Sequence, residues 1–411
     1  MSAVVDSYRD DMDMSYAVDF GRDSESAQSQ KRSRSPEYRR KGSAPARING
    51  IHRRRAKRWT WGSGRGARMA NARAFAGCLA LAVASLATSA FGVTIDYSVV
   101  GTPGNPAQGT TGWGAVTNGF KISTKETTNN QYVEFLNKVD PNGTNPNGVY
   151  NSQMTSDALG GIDFSGTASS GSKYSVKGGT GRNGSPYADM PVIFTSWFSA
   201  ARFANWLQNG QGSGTAAMET GAYTLNGQTS GNAPARNPGA QVFLPSRDEW
   251  YKASFYSGTG SNYFTWPTSS NTQPTNTITN LSLVNAANYG GTSTPTTTPI
   301  AVASYTNTTS PYALYDAMGN VTEYTDTSNG SSQIQVFGGS WATTLAQASL
   351  WNANASAIFR STSVTTTSLG FRVAAVPEPT TIALAGTGLA GLAGMEWMKR
   401  RKKKAAARMQ G

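Results

Sequence analysis

The chain has 411 residues, with 36 Lys+Arg against 23 Asp+Glu, one Cys, one His and a net charge of +13. That charge is terminal: residues 1–68 hold 16 basic and 8 acidic side chains, 399–411 hold 7 basic and none acidic, and 93–376 hold 12 basic and 13 acidic. A basic nucleic-acid face on the middle is therefore not implied, and Cys78 and His52 alone exclude an intrachain disulfide, a Cys/His zinc site, a Cys–His pair and a Ser–His–Asp triad, so that a metal would need oxygen ligands.

Residues 1–68 lack apolar periodicity and carry QKRSRSPEYRRKG (30–42) and HRRRAKR (52–58). They are read as a disordered basic segment, with nucleic-acid binding through this arm as an alternative. From Met69, Arg73 supplies a positive region, Phe75 to Ala87 an apolar run, and small residues follow with cleavage sites after Ala90 or Gly92. Residues 69–92 thus read as a secretory signal peptide, with Cys78 a filler of its apolar run. A signal this far inside the chain also suggests that translation starts at Met69.

The body, 93–376, reads as α+β with three helices. In TTNNQYVEFLNKV (127–139), Thr128 and Gln131 form a capping-box pattern, and Tyr132, Phe135, Leu136 and Val139 recur at helical spacing. In SWFSAARFANWLQNG (196–210), Ser196 is the cap, Asn209-Gly210 the stop, and Trp197, Ala200, Ala201, Ala204 and Leu207 one face. In LPSRDEWYKASFY (244–256), Ser246 and Glu249 form the reciprocal cap, while Trp250, Ala253 and Phe255 face inward. The rest reads as short strands and Thr/Asn/Gly loops, with 212–240 and 257–300 poorest in periodicity. Trp197, Trp206, Trp250 and Trp341 are expected in the core, and Trp113 and Trp266 are the candidates for exposure.

At the C-terminus, Val376-Pro377-Glu378-Pro379 precedes the apolar TTIALAGTGLAGLAGMEWM (380–398) and the basic KRRKKK (399–404). The apolar piece is long enough for one membrane helix, and the basic block would stay cytoplasmic. The layout of 377–404 resembles the PEP-CTERM sorting signal, which implies an exosortase-type enzyme and cleavage near Pro-Glu-Pro. A plain membrane anchor is the alternative. The expected localisation is export through Sec-type machinery, anchorage by this helix before processing, then the cell surface or the outside.

Five motifs follow in order: PVIFTSWFSAARFANWL (191–207), VFLPSRDEWYKASFY (242–256), YALYDAMGNVTEY (312–324), FGGSW (337–341) and LGFRVA (369–374). Upstream lie GFKISTKETTNNQYVEFLN (119–137) and VGTPGNPAQGTTGWGAV (100–116), the latter similar to the lead-in of exported members that carry a PEP-CTERM tail. The series resembles the formylglycine-generating-enzyme, or sulfatase-modifying-factor, domain family across 115–375. The resemblance implies a loop-rich C-type lectin-like fold. In that family two copper-binding cysteines follow GGSW, at positions that are here Thr343 and Ala348, and a second branch holds iron with histidines, of which 93–376 has none. Neither copper nor iron is expected, no catalytic residue is assigned, and the chain is expected not to be an enzyme. The resemblance further implies a calcium site of Asp316, the carbonyls of Gly319 and Val321, and Glu323, with calcium the candidate cofactor. A second family site at Asn288 and Tyr289 lacks a carboxylate between 289 and 315. From the residues alone, Gly319 permits a turn, Asn320 can satisfy loop backbone groups, and Arg372 is expected to pair with Asp248, Glu249 or Glu323. The expected role is an exported binding or structural module with envelope polysaccharide as candidate ligand. The alternative is an enzyme with a re-purposed site on the same scaffold.

Overall fold

The structure, a computed structural model, describes residues 92–181, 184–290, 298–344 and 357–377. The basic segment 1–68, nearly all of the stretch read as a signal peptide, Ala348 and the apolar run 380–398 read as a membrane helix lie outside the described residues. Among the described residues no helix is long and apolar enough to cross a membrane.

The chain enters strand β1 (Tyr97–Val100), crosses to β2 (Phe120–Ser123) and turns into helix α1 (Asn129–Val139). The cap expected for α1 forms: Thr128 Oγ1 accepts the Gln131 N–H at 3.3 Å, and Gln131 Oε1 accepts the Thr128 N–H at 3.0 Å. A short helix α2 (Gln153–Ser156) and the ribbon β3 (Ile162–Phe164) with β4 (Tyr174–Val176) follow. Helix α3 (Trp197–Gln208) starts at Ser196, whose hydroxyl accepts the Ser199 N–H, and ends at Asn209 with Gly210 at φ +69°. Beyond a short helix α4 (Ala216–Glu219) come β5 (Val242–Phe243) and helix α5 (Arg247–Phe255), capped reciprocally by Ser246 and Glu249.

After α5 the chain makes the ribbon β6 (Thr275–Asn276) with β7 (Ala286–Ala287), then β8 (Thr322–Ser328), β9 (Gln333–Phe337), β10 (Ile358–Ser361), β11 (Leu369–Gly370) and β12 (Ala374–Ala375). One sheet runs β1-β2-β12-β5, antiparallel throughout, and the other β10-β9-β8-β11, with β11 parallel to β8. The core packs α1, α3 and α5 against both sheets through Tyr132, Phe135, Phe203, Trp206, Trp250 and Phe371, among others. Phe203 meets Tyr132, Phe135, Trp206 and Phe371 at ring-centre distances of 5.5–6.0 Å.

The loops without apolar periodicity are held by polar side chains. Arg236 donates to Asp326 at 2.7 Å and to both oxygens of Glu249 at 2.7 and 3.0 Å, with its guanidinium 3.7 Å from the Phe243 ring centre. A bulge in β8 between Tyr324 and Ser328 brings Asp326 into this cluster. Arg202, fully buried on α3, holds Glu219 at 2.7 Å, and Asn205 bonds the backbone of Met218 and Tyr223.

The four core tryptophans are buried as expected; the two read as exposed are not. Trp266 packs with Ala287, Tyr289 and Met318. Trp113 is half-buried, edge-on to Tyr251 and Phe337, with the Arg247 guanidinium 5.5 Å from its ring centre.

Candidate functional site

The loop from Tyr315 to Glu323 is the centre of a buried polar cluster. Gly319 has φ +83°, and a Cβ there would lie 2.3 Å from the Asn288 carbonyl oxygen, so the turn needs glycine. Asn320, in the left-handed region at φ +55°, is the hub. Its Oδ1 accepts the Ile300 N–H at 2.9 Å, its Nδ2 donates to Glu126 Oε2 at 2.7 Å, and its carbonyl accepts the Trp341 N–H at 2.9 Å. The expectation that this amide satisfies loop backbone is met, and it also binds a buried carboxyl group.

Of the three acids offered as partners for Arg372, the structure selects Glu323. The Arg372 Nε and Nη2 each reach a Glu323 oxygen at 2.5 Å, both side chains being fully buried. Trp250 Nε1 donates to Glu323 Oε2 at 2.7 Å, and the remaining guanidinium hydrogens reach the carbonyls of Ser123 and Tyr315. The bidentate pair joins β8, the end of β2, α5 and the segment between β11 and β12.

Two more carboxyl groups share this charge. Glu126, buried between β2 and α1, accepts the Val321 N–H at 3.1 Å and the Asn320 amide. Burial, and then the charges of Asp316 and Glu323, push its pKa well up. Asp316, at φ +53°, accepts the Ala303 N–H at 2.6 Å. Burial is the main cause that pushes its pKa up to about 6, opposed by the Ala303 hydrogen bond and by Arg372. Sequence reading missed Glu126. Strand alternation could not have found it, because β2 ends at Ser123 and Glu126 lies in the turn between β2 and α1.

The four residues proposed for calcium fall on this one loop, but the donor set does not fit the ion as it stands. Calcium needs about six to eight oxygen ligands. Glu323 Oε2 accepts from Arg372 and Trp250 and Oε1 from Arg372, and the guanidinium already balances the carboxylate charge. Among the described residues no group of three His, Cys, Asp or Glu is arranged to hold a metal. At the second family position, the buried Asn288 Oδ1 has no hydrogen-bond partner while Nδ2 donates to Thr298.

Raised carboxyl pKa values carry a sign. Burial raises the carboxyl pKa values of Glu126, Asp316 and Asp326, so the folded body binds these protons more tightly than the unfolded chain, whose carboxyl groups release theirs near pH 4. This contribution is full below about pH 4 and is lost as pH rises through about 6, the value for Asp316. Thermal unfolding in EDTA is expected to show a higher Tm at pH 5 than at pH 7.5, with a flatter profile for Asp316→Asn. A Tm that climbs across this range would contradict the assignment.

The segment after β9 places the position of the family's first copper-binding thiol. Gly338 and Gly339 have φ +90° and +67°, and Trp341 donates to the Thr367 carbonyl at 3.0 Å. Thr343 is buried, its Oγ1 accepts the Ser340 N–H at 2.8 Å, and its carbonyl accepts the Gly290 N–H at 2.5 Å. Two cavities lie elsewhere. One, of about 10 Å³ and room for a single water, touches Asp316 and Thr308. The other is an open groove of about 280 Å³ lined by Asp96, Lys125, Glu126, Gln131, Glu134 and Asp189, among others. Thr343 lines neither.

A family model described as the sulfatase-modifying factor enzyme 1-like domain matches residues 94–376, and the PEP-CTERM protein-sorting motif matches 375–401. Among solved structures the chain is similar to Treponema denticola variable protein 1, at 19% identity and a TM-score of 0.41, over 68% of this chain and 95% of that one. It is similar to CarF at 19% identity and a TM-score of 0.39, over 69% and 99%. It is similar to PvdO from Pseudomonas aeruginosa at 14% identity and a TM-score of 0.38, over 69% and 93%. No curated protein matches.

Proposed function

The chain belongs to the sulfatase-modifying factor enzyme 1-like domain family and carries a PEP-CTERM sorting motif, and from that premise we propose an exported, exosortase-sorted module that binds at the cell envelope without redox catalysis. The observation that carries this reading is Thr343. A hydroxyl cannot serve as the soft thiolate ligand that copper selects, and this one is already an acceptor for the Ser340 N–H. The carboxyl groups of the buried cluster, Glu126 and Glu323, are engaged by Asn320, Val321, Trp250 and Arg372. Their engagement in these bonds weighs against either acting as a free general base in a re-purposed enzyme.

Binding is better placed in the open groove. Its hydroxyls, amides and carboxylates, from Thr94, Thr124, Asn130, Gln131 and Asp189, suit a hydroxyl-rich ligand such as envelope polysaccharide. The nucleic-acid reading has no support in the body, where acidic and basic residues nearly balance.

The test is direct. The full chain, incubated with copper(I), oxygen and cysteine-containing peptides, is expected to yield no aldehyde by mass spectrometry and to bind copper no more tightly than its Thr343→Ala variant. Turnover of peptide cysteine to formylglycine overturns the non-catalytic reading.

A further inference from the structure

We propose that the exported body begins at Val93, and that Gln211, at the Val93 end of the open groove, is the receptor for the α-ammonium created there when the signal segment is removed. This rests on the export reading above and adds a processing bond and a binding site to it.

The clamp is built on a strained residue. Gln211 has φ +61°, in the left-handed region that glycine fills more readily, directly after Gly210 at φ +69°. Buried Trp206 on α3 holds this conformation from both sides. Its carbonyl accepts the Gln211 N–H at 2.9 Å, and its Nε1 donates to the Gly212 carbonyl at 2.9 Å. The side chain so aimed grips one residue of distant sequence by its backbone. Gln211 Oε1 accepts the Val93 N–H at 2.6 Å, and Gln211 Nε2 donates to the Val93 carbonyl at 2.8 Å. Strain kept by its surroundings is characteristic of such ligand clamps.

The order of the body also starts at this residue. The Val93 side chain is buried in the main core. The next carbonyls are taken up in turn, Thr94 by Gln131 Nε2 at 3.0 Å and Asp96 by the Thr124 N–H at 2.8 Å. Gly92 makes no hydrogen bond to another described residue, and a Cβ there would lie 2.6 Å from Gln211 Oε1. The family match begins one residue after the clamp, at 94.

The sequence offers two bonds for removal of the signal, after Ala90 or after Gly92. Ala90-Phe91-Gly92 places small residues at both positions a signal cleavage site needs, whereas Thr88-Ser89-Ala90 places a β-branched threonine at the first. Cleavage after Gly92 leaves no residue ahead of the clamp, while cleavage after Ala90 leaves an apolar Phe91 there.

Hydrolysis of the Gly92–Val93 amide consumes one water. Its oxygen goes to the Gly92 carbonyl carbon, which departs as a carboxylate, and its two protons go to the Val93 nitrogen. The resulting α-amine, with an ordinary pKa of about 8, is charged at neutral pH. The bond to Gln211 Oε1 then becomes charge-assisted. The new charge also enters a region of opposite sign. Gly92 and Val93 line the groove together with Asp96, Glu126, Glu134 and Asp189, and with Lys125 as the cation of that lining. Capture of an amino terminus by fixed acceptors is a known recognition mode, and here the ligand is the chain itself.

The test uses the exported protein, recovered from the cell surface or medium. Its amines are dimethylated before digestion and the blocked N-terminal peptide is sequenced by mass spectrometry. The expected start is Val93-Thr94-Ile95-Asp96. An exported chain that starts at Phe91, or at any other residue, overturns the proposal and leaves the export reading standing. A chain that stays in the cell with residues 1–68 attached overturns both. The receptor is tested by acylating the α-amine of the same product with a limiting active ester at neutral pH. Reaction is expected to be roughly tenfold slower than in Gln211→Ala, the scale of a hydrogen bond to a charged group. Gln211→Glu, which keeps the acceptor oxygen, is expected to stay slow. A Gln211→Ala chain no faster than its parent, or a Gln211→Glu chain as fast as Gln211→Ala, overturns the assignment of Gln211.

Discussion

Replacing Arg372 with methionine is expected to cost the body about 3–5 kcal/mol, the usual result of removing one partner of a buried ion pair. The guanidinium is fully buried and makes both of its short bonds to Glu323, plus one each to the Ser123 and Tyr315 carbonyls. Its loss leaves the Glu323 carboxylate with Trp250 alone, beside Glu126 and Asp316, two groups already pushed toward their neutral forms. Total stabilities are about 5–15 kcal/mol, so the change removes a large share. In a domain of this size about 1 kcal/mol moves Tm by roughly 2–4 °C, which makes the expected fall roughly 6–20 °C. Glu323→Gln is expected to cost a similar amount, because it strands the arginine. The double variant Glu323→Leu/Arg372→Met is the informative one: with both charges gone it is expected to recover much of the loss. Single variants that each cost under about 1 kcal/mol would show that the pair is not the desolvated link between the sheets that the geometry describes.

What the sequence made legible follows from how local each signal is. The caps at Thr128, Ser196 and Ser246 act within three residues of themselves, and all three helices start where those residues put them. The ordered motifs from 119 to 374 carried the family, because their order survives even where the strands are two residues long. The loop 212–240 carried no periodicity to read, since its anchor joins Arg236 to Asp326 across 90 residues and depends on a bulge. Trp266 looked exposed because Thr, Ser and Pro surround it in the chain. Its real neighbours, Tyr289 and Met318, come from two later segments. The proposed calcium ligands carry oxygen donors, and Glu323 is one of the three acids, with Asp248 and Glu249, that the residue types offer to Arg372. What residue types could not show is that the guanidinium bonds both carboxylate oxygens of Glu323.

The second large effect is expected at Gly319→Ala. The added methyl would lie 2.3 Å from the Asn288 carbonyl oxygen and 2.7 Å from its carbon, atoms of backbone that no rotamer change can move. The φ of +83° adds strain of its own. Overpacking and left-handed strain each cost roughly 1–3 kcal/mol, so a loss of roughly 2–6 kcal/mol is expected. Gly109→Ala is the control: nothing lies within 4 Å of its added carbon, and the change is expected to stay within about 0.5 kcal/mol. The damage should also be local in a particular way. Gly319 donates to Gly338, and Asn320 donates to the Asn288 carbonyl while its own carbonyl accepts the Trp341 N–H. Hydrogen exchange in Gly319→Ala is therefore expected to accelerate at 320 and 341 before the helices open. If instead the variant lost stability with protection at those amides unchanged, the loop would not be the joint that ties the Asn288 segment to the strand carrying Glu323. Such a result would also remove the reason that a glycine, and not the charge pair beside it, fixes the path of this turn.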